Sequence, residues 1–198
     1  MSAEQVAGLQ LRLRGREFDW CVLGGWGVDA LAGRVTREHK DLDVVVDLAA
    51  LPGVLDLLAE EGFRLARAWP ESRDLPGRHP LLGDPPPSAF VLACTDGREV
   101  DVHVCDGLDT GVVLLWDTDV VLTTAGLSGT GTVGGVRVRC MTADLQLACH
   151  QGYDLPPAHA ADVRLLRQLL ADRSEPSERS ERSERSELSD REPSRQER

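Results

Sequence analysis

The sequence predicts an α+β protein, in which a mixed β-sheet is flanked by helices and followed by a small C-terminal helical segment. Three observations support this class. Apolar strand-like runs alternate with helical stretches over residues 3–62. A pair of strand-like runs surrounds Asp96-Gly97, a strong hairpin signal. Two stretches of helical character follow residue 141. Helices and hairpins that are mixed in this order indicate a layered α+β fold.

The individual elements follow from periodicity and from the residues that bound each run. Gly33 is expected to cap the second helix. Residues 70–88 are rich in proline, glycine and charge and are predicted to be a loop. The predicted helices are 3–16, 26–33, 51–62, 142–152 and 159–171; the predicted strands are 20–25, 42–47, 63–69, 112–116, 119–123 and 136–140, with a strand pair inside 89–105.

The chain divides into three predicted parts: a core over residues 1–140, a helical segment over 141–172 and a tail over 173–198. The tail contains the period-3 repeat "SERSERSERSE", which has no apolar residue. Such a segment buries nothing that would offset the entropy lost on ordering. The tail is therefore predicted to be disordered, although a charged tether or partner segment is the alternative reading.

Composition limits the classes of partner. The net charge of -11 argues against nucleic-acid binding and suits cationic small molecules. The five cysteines are odd in number, widely spaced and without a C-x-x-C pair, as expected for reduced thiols in the cytoplasm. There is no signal-peptide pattern and no apolar run that approaches ~20 residues. A cytoplasmic protein without membrane contact is predicted.

Two carboxylates open the strand predicted at 42–47. Asp41 and Asp43 are two residues apart, so on a strand they point to the same side. Like charges in that arrangement repel unless a cation lies between them, and oxygen ligands favour Mg²⁺. Asp101 lies in a later, otherwise apolar strand, where a lone carboxylate is costly unless it is paired or coordinated. If the two strands are neighbours, the three acids can hold one or two metal ions.

A glycine pair and a basic loop precede the acids. Gly24 and Gly25 lie between a predicted strand and a predicted helix, where a backbone without Cβ can approach a phosphate. Arg34, Arg37 and His39 follow, and arginine suits phosphate charge. Together with the acids, these residues are the parts of a metal-assisted phosphoryl or nucleotidyl transfer site.

Each part also has a structural interpretation. A D-x-D motif alone is usually a solvated strand end, and a Gly-Gly pair is usually a turn. Arg37 and His39 could form an ordinary charged loop, and Asp101 could pair with Arg98. The order and spacing of all the parts together favour the catalytic interpretation.

The stretch "GGWGVDALAGRVTREHKDLDVVV" resembles the polymerase-β-like nucleotidyltransferases, and more narrowly the small antibiotic nucleotidyltransferases that modify aminoglycosides and lincosamides. A later V-D-x-H piece matches at Asp101 and His103, and "HQGYDLPPAHAADVRLL" resembles a weaker C-terminal motif with His150 and Asp162. Val104 stands where the family often has proline, and acidic residues follow the HQGY stretch where basic ones are usual. The long motif is matched by Gly24, Gly25, Trp26, Asp29, Gly33, Arg34, Thr36, Arg37, His39, Asp41 and Asp43.

The resemblance implies a nucleotidyltransferase (polymerase-β-like) fold and a role for each matched residue. Asp41 and Asp43 would ligate Mg²⁺ carrying the nucleoside triphosphate, and Asp101 would complete the metal site or act as the general base. The glycine pair would cradle phosphate. Arg37, with Arg34 and His39, would stabilise phosphate charge. Two matched residues are predicted to be structural instead: Asp29 in a helix-side salt bridge, for example to Arg34, and Trp26 in packing between helix and sheet.

Two other patterns are set aside. "GTGTVG" (129–134) matches G-x-G-x-x-G, but the alternating "GVRVRC" follows it, so a hairpin turn is predicted rather than a dinucleotide site. The histidines show no zinc-ligand spacing with cysteine.

The leading hypothesis is therefore Mg²⁺-dependent transfer of AMP from ATP to a hydroxyl of a small molecule, with an aminoglycoside- or lincosamide-like antibiotic as the acceptor. A protein or RNA acceptor, as in toxin–antitoxin nucleotidyltransferases, is one alternative. A catalytically silent nucleotide-binding protein is another. A homodimer would follow if two protomers shared the acceptor pocket.

Overall fold

The computed structural model describes residues 1–14, 16, 20–107, 111–115, 121–151 and 154–174. Its helices are α1 (Ala3–Leu13), α2 (Gly24–Ala32), α3 (Leu51–Glu60), α4 (Ala143–Cys149) and α5 (Pro157–Ser174), with a 3₁₀ turn at Ala125–Leu127. Its strands are β1 (Trp20–Val22), β2 (Leu42–Asp47), β3 (Arg64–Ala68), β4 (Ala89–Ala93), β5 (Glu99–Asp106), β6 (Val112–Leu115), β7 (Val121–Thr123), β8 (Gly129–Val133) and β9 (Val136–Cys140).

The strands form one mixed sheet in the order β3-β4-β5-β2-β1-β9-β8, and β6 and β7 extend from β5. Parallel pairs join β2 to β5 and β1 to β9, while the β4–β5 and β8–β9 hairpins are antiparallel. Together with the helices that pack on the sheet, this confirms the predicted α+β class.

Both faces of the central strands are buried. Val44 and Val46 of β2 lie in the main core with apolar residues of α1, α2 and α3. Val45, which points to the opposite face, packs with Cys105 and Met141 in a second cluster. This explains why β2 reads as a continuous apolar run between its acids.

The C-terminal helices pack against α2 rather than standing apart. Val28 of α2, Ala143 of α4 and Leu166 of α5 form a third apolar cluster. The start of α5 is thereby held beside the start of β2, where the predicted site lies. The predicted division into core, helical segment and tail stays a prediction.

Most predicted elements are present, with shifted ends. Helix α1 ends at Leu13 rather than residue 16; it begins with a capping box in which Ser2 Oγ accepts from the Gln5 amide and Gln5 Oε1 accepts from the Ser2 amide. Gly33 caps α2 in the left-handed conformation, as predicted. Residues 70–88 form a loop with isolated bridges only.

Two expectations were wrong in detail. Gly24 and Gly25 were predicted to stop the first strand, but they are the first residues of α2. The segment 129–134 was predicted to be a turn, but Gly129–Val133 pairs along β9 as a strand, and Gly134 and Gly135 with positive φ make the turn. A strand that turns straight into another strand leaves no place for the helix that a dinucleotide site requires.

Some predictions fall outside the described residues. They are residue 116 of the predicted 112–116 strand, residues 119 and 120 of the predicted 119–123 strand, Gly152 and Tyr153 of the HQGY stretch, and nearly all of the tail, 175–198. Within the described part of the chain, no helix has the length and apolar character needed to cross a membrane.

Candidate active site

The centre of the site is a pair of carboxylates on neighbouring strands. The parallel pairing of β2 and β5 sets Asp43 directly opposite Asp101. Adjacent residues of a strand point to opposite faces, so both acids lie on the face away from Val44. Asp41 precedes β2 by one residue and is partly buried. The condition that the sequence left open, that the two strands be neighbours, is met.

The three acids repel one another. Burial raises the pKa of Asp43 to about 7, and the charges of Asp41 and Asp101 add to that rise. Burial also raises the pKa of Asp101, against the opposing effect of a hydrogen bond from Trp69. A cation near these carboxylates would offset both the cost of burying their charge and the repulsion between them.

The residues present fit a hard divalent cation such as Mg²⁺, because they offer only carboxylate oxygens on one face of the sheet. Across the described ranges, no three His, Cys, Asp or Glu side chains stand ready-made as a metal-ligand set. The acids lie on the same face of the sheet, but their side chains do not converge on one point. Their assignment as ligands stays a prediction.

The two glycines lie against side chains of the predicted site. Gly24 has a φ of 60°, and a Cβ there would overlap the Oδ2 atom of Asp43. A Cβ on Gly25 would overlap His39 Nδ1 and the Arg37 Nη2 atom. Glycine is therefore required for close packing at the start of α2, whose N-terminal end favours anions. This arrangement suits the predicted phosphate cradle.

His39 is held by a buried carboxylate. Its Nε2 atom lies 2.6 Å from Asp29 Oδ2, and its ring packs 4.4 Å from Trp26 between centroids. Asp29 Oδ1 accepts from the Thr36 amide at 3.1 Å and from its hydroxyl. Asp29 therefore has a structural role, as predicted, but its partners are His39 and Thr36 rather than the Arg34 side chain.

Trp26 is buried in the main core. This position matches the predicted packing role between helix and sheet.

Arg37 is engaged by a residue far along the chain. Its Nη2 and Nε atoms donate to the two carboxylate oxygens of Asp162 at 2.8 and 3.3 Å, and Nη1 donates to the Glu38 carbonyl at 3.2 Å. The hydrogen bonds that Arg37 donates to Asp162 raise the pKa of Arg37, although burial opposes this. Arg37 is therefore held in place at the rim of the site, and its role toward phosphate stays a prediction.

These groups line a cavity of about 370 Å³. Arg34 is exposed and is not among its lining residues, so the structure does not bring Arg34 together with the other predicted residues. Asp101, opposite Asp43 on β5, is not among the residues that line this cavity. The wall consists of Leu23, Gly24, Gly25, Arg37, His39, Lys40, Asp41, Asp43, His150, His159 and Asp162.

The C-terminal helices contribute residues to which the sequence assigned no role. The rings of His150 and His159 pack 5.3 Å apart at the cavity wall. Burial lowers the pKa of His150, and the neighbouring His159 adds to this. Lys40 also lines the cavity and pairs with Glu99 at 2.9 Å. In the sequence, His150 and His159 lie within the stretch that resembles the weaker C-terminal motif, and Lys40 lies beside the long motif.

The Asp101 carboxylate has two further neighbours, Trp69 and His103. Trp69 Nε1 donates to Asp101 Oδ1 at 2.8 Å, and His103 Nε2 lies 3.7 Å from the same oxygen. Arg98, the alternative partner considered from the sequence, pairs with Asp96 at 2.7 Å and with Glu61 at 3.8 Å. Nothing in the sequence pattern singled out Trp69.

Comparison with known proteins finds related sequences over most of the chain. A family model described as aminoglycoside-2″-adenylyltransferase matches residues 6–76 and 81–166. A lincosamide resistance protein of Staphylococcus haemolyticus is 26% identical over 149 residues, which cover 74% of this chain and 82% of that protein.

Two solved structures share the fold. The lincosamide antibiotic adenylyltransferase LnuA, bound to lincomycin, has a TM-score of 0.64 at 21% identity, over 84% of this chain and 96% of that chain. ANT(2″)-Ia in complex with adenylyl-2″-tobramycin has a TM-score of 0.60 at 18% identity, over 85% and 88%. The likeness confirms the predicted nucleotidyltransferase fold.

Proposed function

Because the chain belongs to the aminoglycoside-2″-adenylyltransferase family, we propose that it transfers AMP from ATP to a hydroxyl group of an antibiotic, with Mg²⁺ as the metal. The observation that carries this proposal is the pairing of Asp43 with Asp101 in register on two parallel strands, beside a helix that starts with two glycines. Buried like charges are unfavourable in a structural role, so their juxtaposition indicates a site that receives a cation.

Asp41, Asp43 and Asp101 would hold Mg²⁺, which when bound supplies positive charge against the triphosphate. Gly24 and Gly25 let Asp43, His39 and Arg37 pack closely against the N-terminal end of α2, the end that favours phosphate. Asp41 and Asp43 line the cavity in which the nucleotide would sit, and Asp101 lies opposite Asp43 on the neighbouring strand.

In the proposed reaction, the acceptor hydroxyl oxygen forms a bond to the α-phosphorus while the bond to the bridging oxygen breaks and pyrophosphate leaves. Asp101 takes the hydroxyl proton. Arg37 and His39, fixed by Asp162 and Asp29, border the phosphates at the cavity wall.

The relatives named above are linked by name to both lincosamides and aminoglycosides, and these two classes are the proposed acceptors. The net charge of -11 favours a cationic acceptor of either class. A cytoplasmic location, a homodimer and the absence of nucleic-acid partners stay predictions.

Mass spectrometry tests the proposal directly. The protein is incubated with ATP, Mg²⁺ and a panel of aminoglycosides and lincosamides, with Asp41→Asn as the inactive control. Asp172→Asn, an exposed change on α5, is the matched active control. A mass gain of one AMP on an antibiotic is expected with wild type and Asp172→Asn only. Wild type that leaves every compound in both classes unmodified would overturn the proposed acceptor class.

A further inference from the structure

Trp69 lies where the edge strand β3 ends, and its position is fixed from two sides. Its backbone N–H donates to the Ala89 carbonyl of β4 at 3.0 Å. The Arg67 guanidinium lies 5.0 Å from the centre of its indole ring, within the range of a cation–π contact. The indole is thus held at the β3 and β4 side of the sheet.

The indole N–H reaches one of these acids. It donates to Asp101 Oδ1 at 2.8 Å, and Asp101 is buried. An indole N–H is a donor only and does not titrate, so it binds one carboxylate oxygen without taking up a proton or ligating a metal itself. The bond leaves Oδ2 of Asp101 for other partners.

From this geometry we propose that Trp69 is a positioning residue for the transfer reaction: it fixes the Asp101 carboxylate so that Oδ2 is presented to the acceptor hydroxyl or the metal. This inference rests on the proposed function. Groups that orient a catalytic carboxylate act through it and touch neither substrate nor metal. The backbone bond to Ala89 and the contact with Arg67 keep the donor in place.

A first test measures the hydrogen bond without any reaction. In the full chain labelled with ¹⁵N at its four tryptophans, Trp69→Phe identifies the Trp69 indole N–H signal. Asp101→Ala should move that signal upfield, because the charged acceptor is gone. Asp96→Ala removes a carboxylate at the β4–β5 turn and should leave the signal in place. An indole N–H chemical shift that is unchanged in Asp101→Ala would overturn the proposal.

A second test separates positioning from folding. Trp69→Phe keeps an aromatic ring but loses the donor, so kcat should fall about 10- to 100-fold. The KM for ATP and the melting temperature should stay near those of wild type. Trp20→Phe is the matched control, since it deletes a buried indole N–H bonded to Gln10 at 2.9 Å, away from the site. It should lower the melting temperature and leave kcat unchanged.

The outcomes distinguish this inference from the proposed function. An unchanged kcat in Trp69→Phe overturns it, as does a loss of kcat that is matched by a loss of stability. If wild type modifies no acceptor, the proposed function fails. The indole signal of Trp69 then still decides whether Asp101 accepts its hydrogen bond.

Discussion

Asp29 shows how one buried carboxylate can organise a loop that carries predicted site residues. It accepts from Thr36 and lies 2.6 Å from His39. Burial alone would raise the pKa of Asp29, but its bonds to His39 and Thr36 outweigh burial and lower the pKa below 3.8. The folded state therefore favours the charged form. This stabilisation is present above about pH 4 and is lost as the pH falls through the lowered pKa.

Asp29→Asn should lower the free energy of unfolding by about 3 kcal/mol at neutral pH, because it breaks a buried pair. In acid the stabilities of the variant and wild type should converge, since wild-type Asp29 is then protonated and, like asparagine, uncharged. Urea unfolding followed from neutral pH into acid measures both. Asp172→Asn, on the exposed face of α5, should match wild type throughout. A gap between Asp29→Asn and wild type that stayed constant into acid would contradict this account.

At the scale of elements, the start of α2 must lie against β2 for the site to form. Gly24 has a φ of 60° and contacts Asp43. An added Cβ there would strain the backbone and would overlap the Asp43 side chain. Gly24→Ala should lower AMP transfer about 100-fold or more, because Asp43 is displaced from its position opposite Asp101.

Gly77→Ala is the matched control for backbone strain. Gly77 has a φ of 89°, but a Cβ there meets nothing within 4 Å. It should lose about 1 kcal/mol of stability, as expected for alanine at positive φ, and keep its activity. Steady-state rates and thermal unfolding of the two variants separate overlap from strain. Equal activity losses in both would show that contact with Asp43 is unimportant.

An ion pair links α5 to the loop before β2. Asp162 is buried and binds Arg37 through both carboxylate oxygens. Asp162→Asn should raise the KM for ATP about 10-fold with a smaller change in kcat, because Arg37 is no longer fixed at the cavity wall. Initial rates over a range of ATP concentrations measure this, with Asp172→Asn on the same helix as control. An unchanged KM would show that Arg37 needs no anchor from α5.

Across the whole molecule, the site is completed by parts that are distant in the chain. The cavity wall combines the start of α2 and β2 with His150, His159 and Asp162 from the C-terminal helices. The same helices are held in place by the apolar cluster of Val28, Ala143 and Leu166. The proposed active site is therefore a property of the folded chain rather than of the D-x-D motif alone.

The local parts of this arrangement could be predicted from the sequence. A carboxylate in an apolar strand is costly, and that physical cost pointed to Asp101 before its neighbour was known. Gly33 was recognisable as a helix cap for the same kind of local reason. The glycine pair and the acids were likewise recognised from their order and spacing.

The long-range parts could not be predicted. Arg37 and Asp162 are 125 residues apart, and no local pattern encodes their contact. The bond from Trp69 to Asp101 depends on how β3, β4 and β5 align. Strand β8 was missed because its glycines resemble a turn until β9 pairs with them.

The most direct test of the central claim compares Asp43→Asn with Asp47→Asn in AMP transfer, followed by mass spectrometry of the antibiotic. Both changes neutralise a carboxylate on β2, but Asp47 lies at the far end of the strand and accepts from the Ala49 amide. Wild type and Asp47→Asn should transfer AMP at similar rates. Asp43→Asn should be slower by about 100-fold or more, because it removes a charge that is proposed to hold the metal. Asp43→Asn that transfers AMP as fast as wild type would contradict the account.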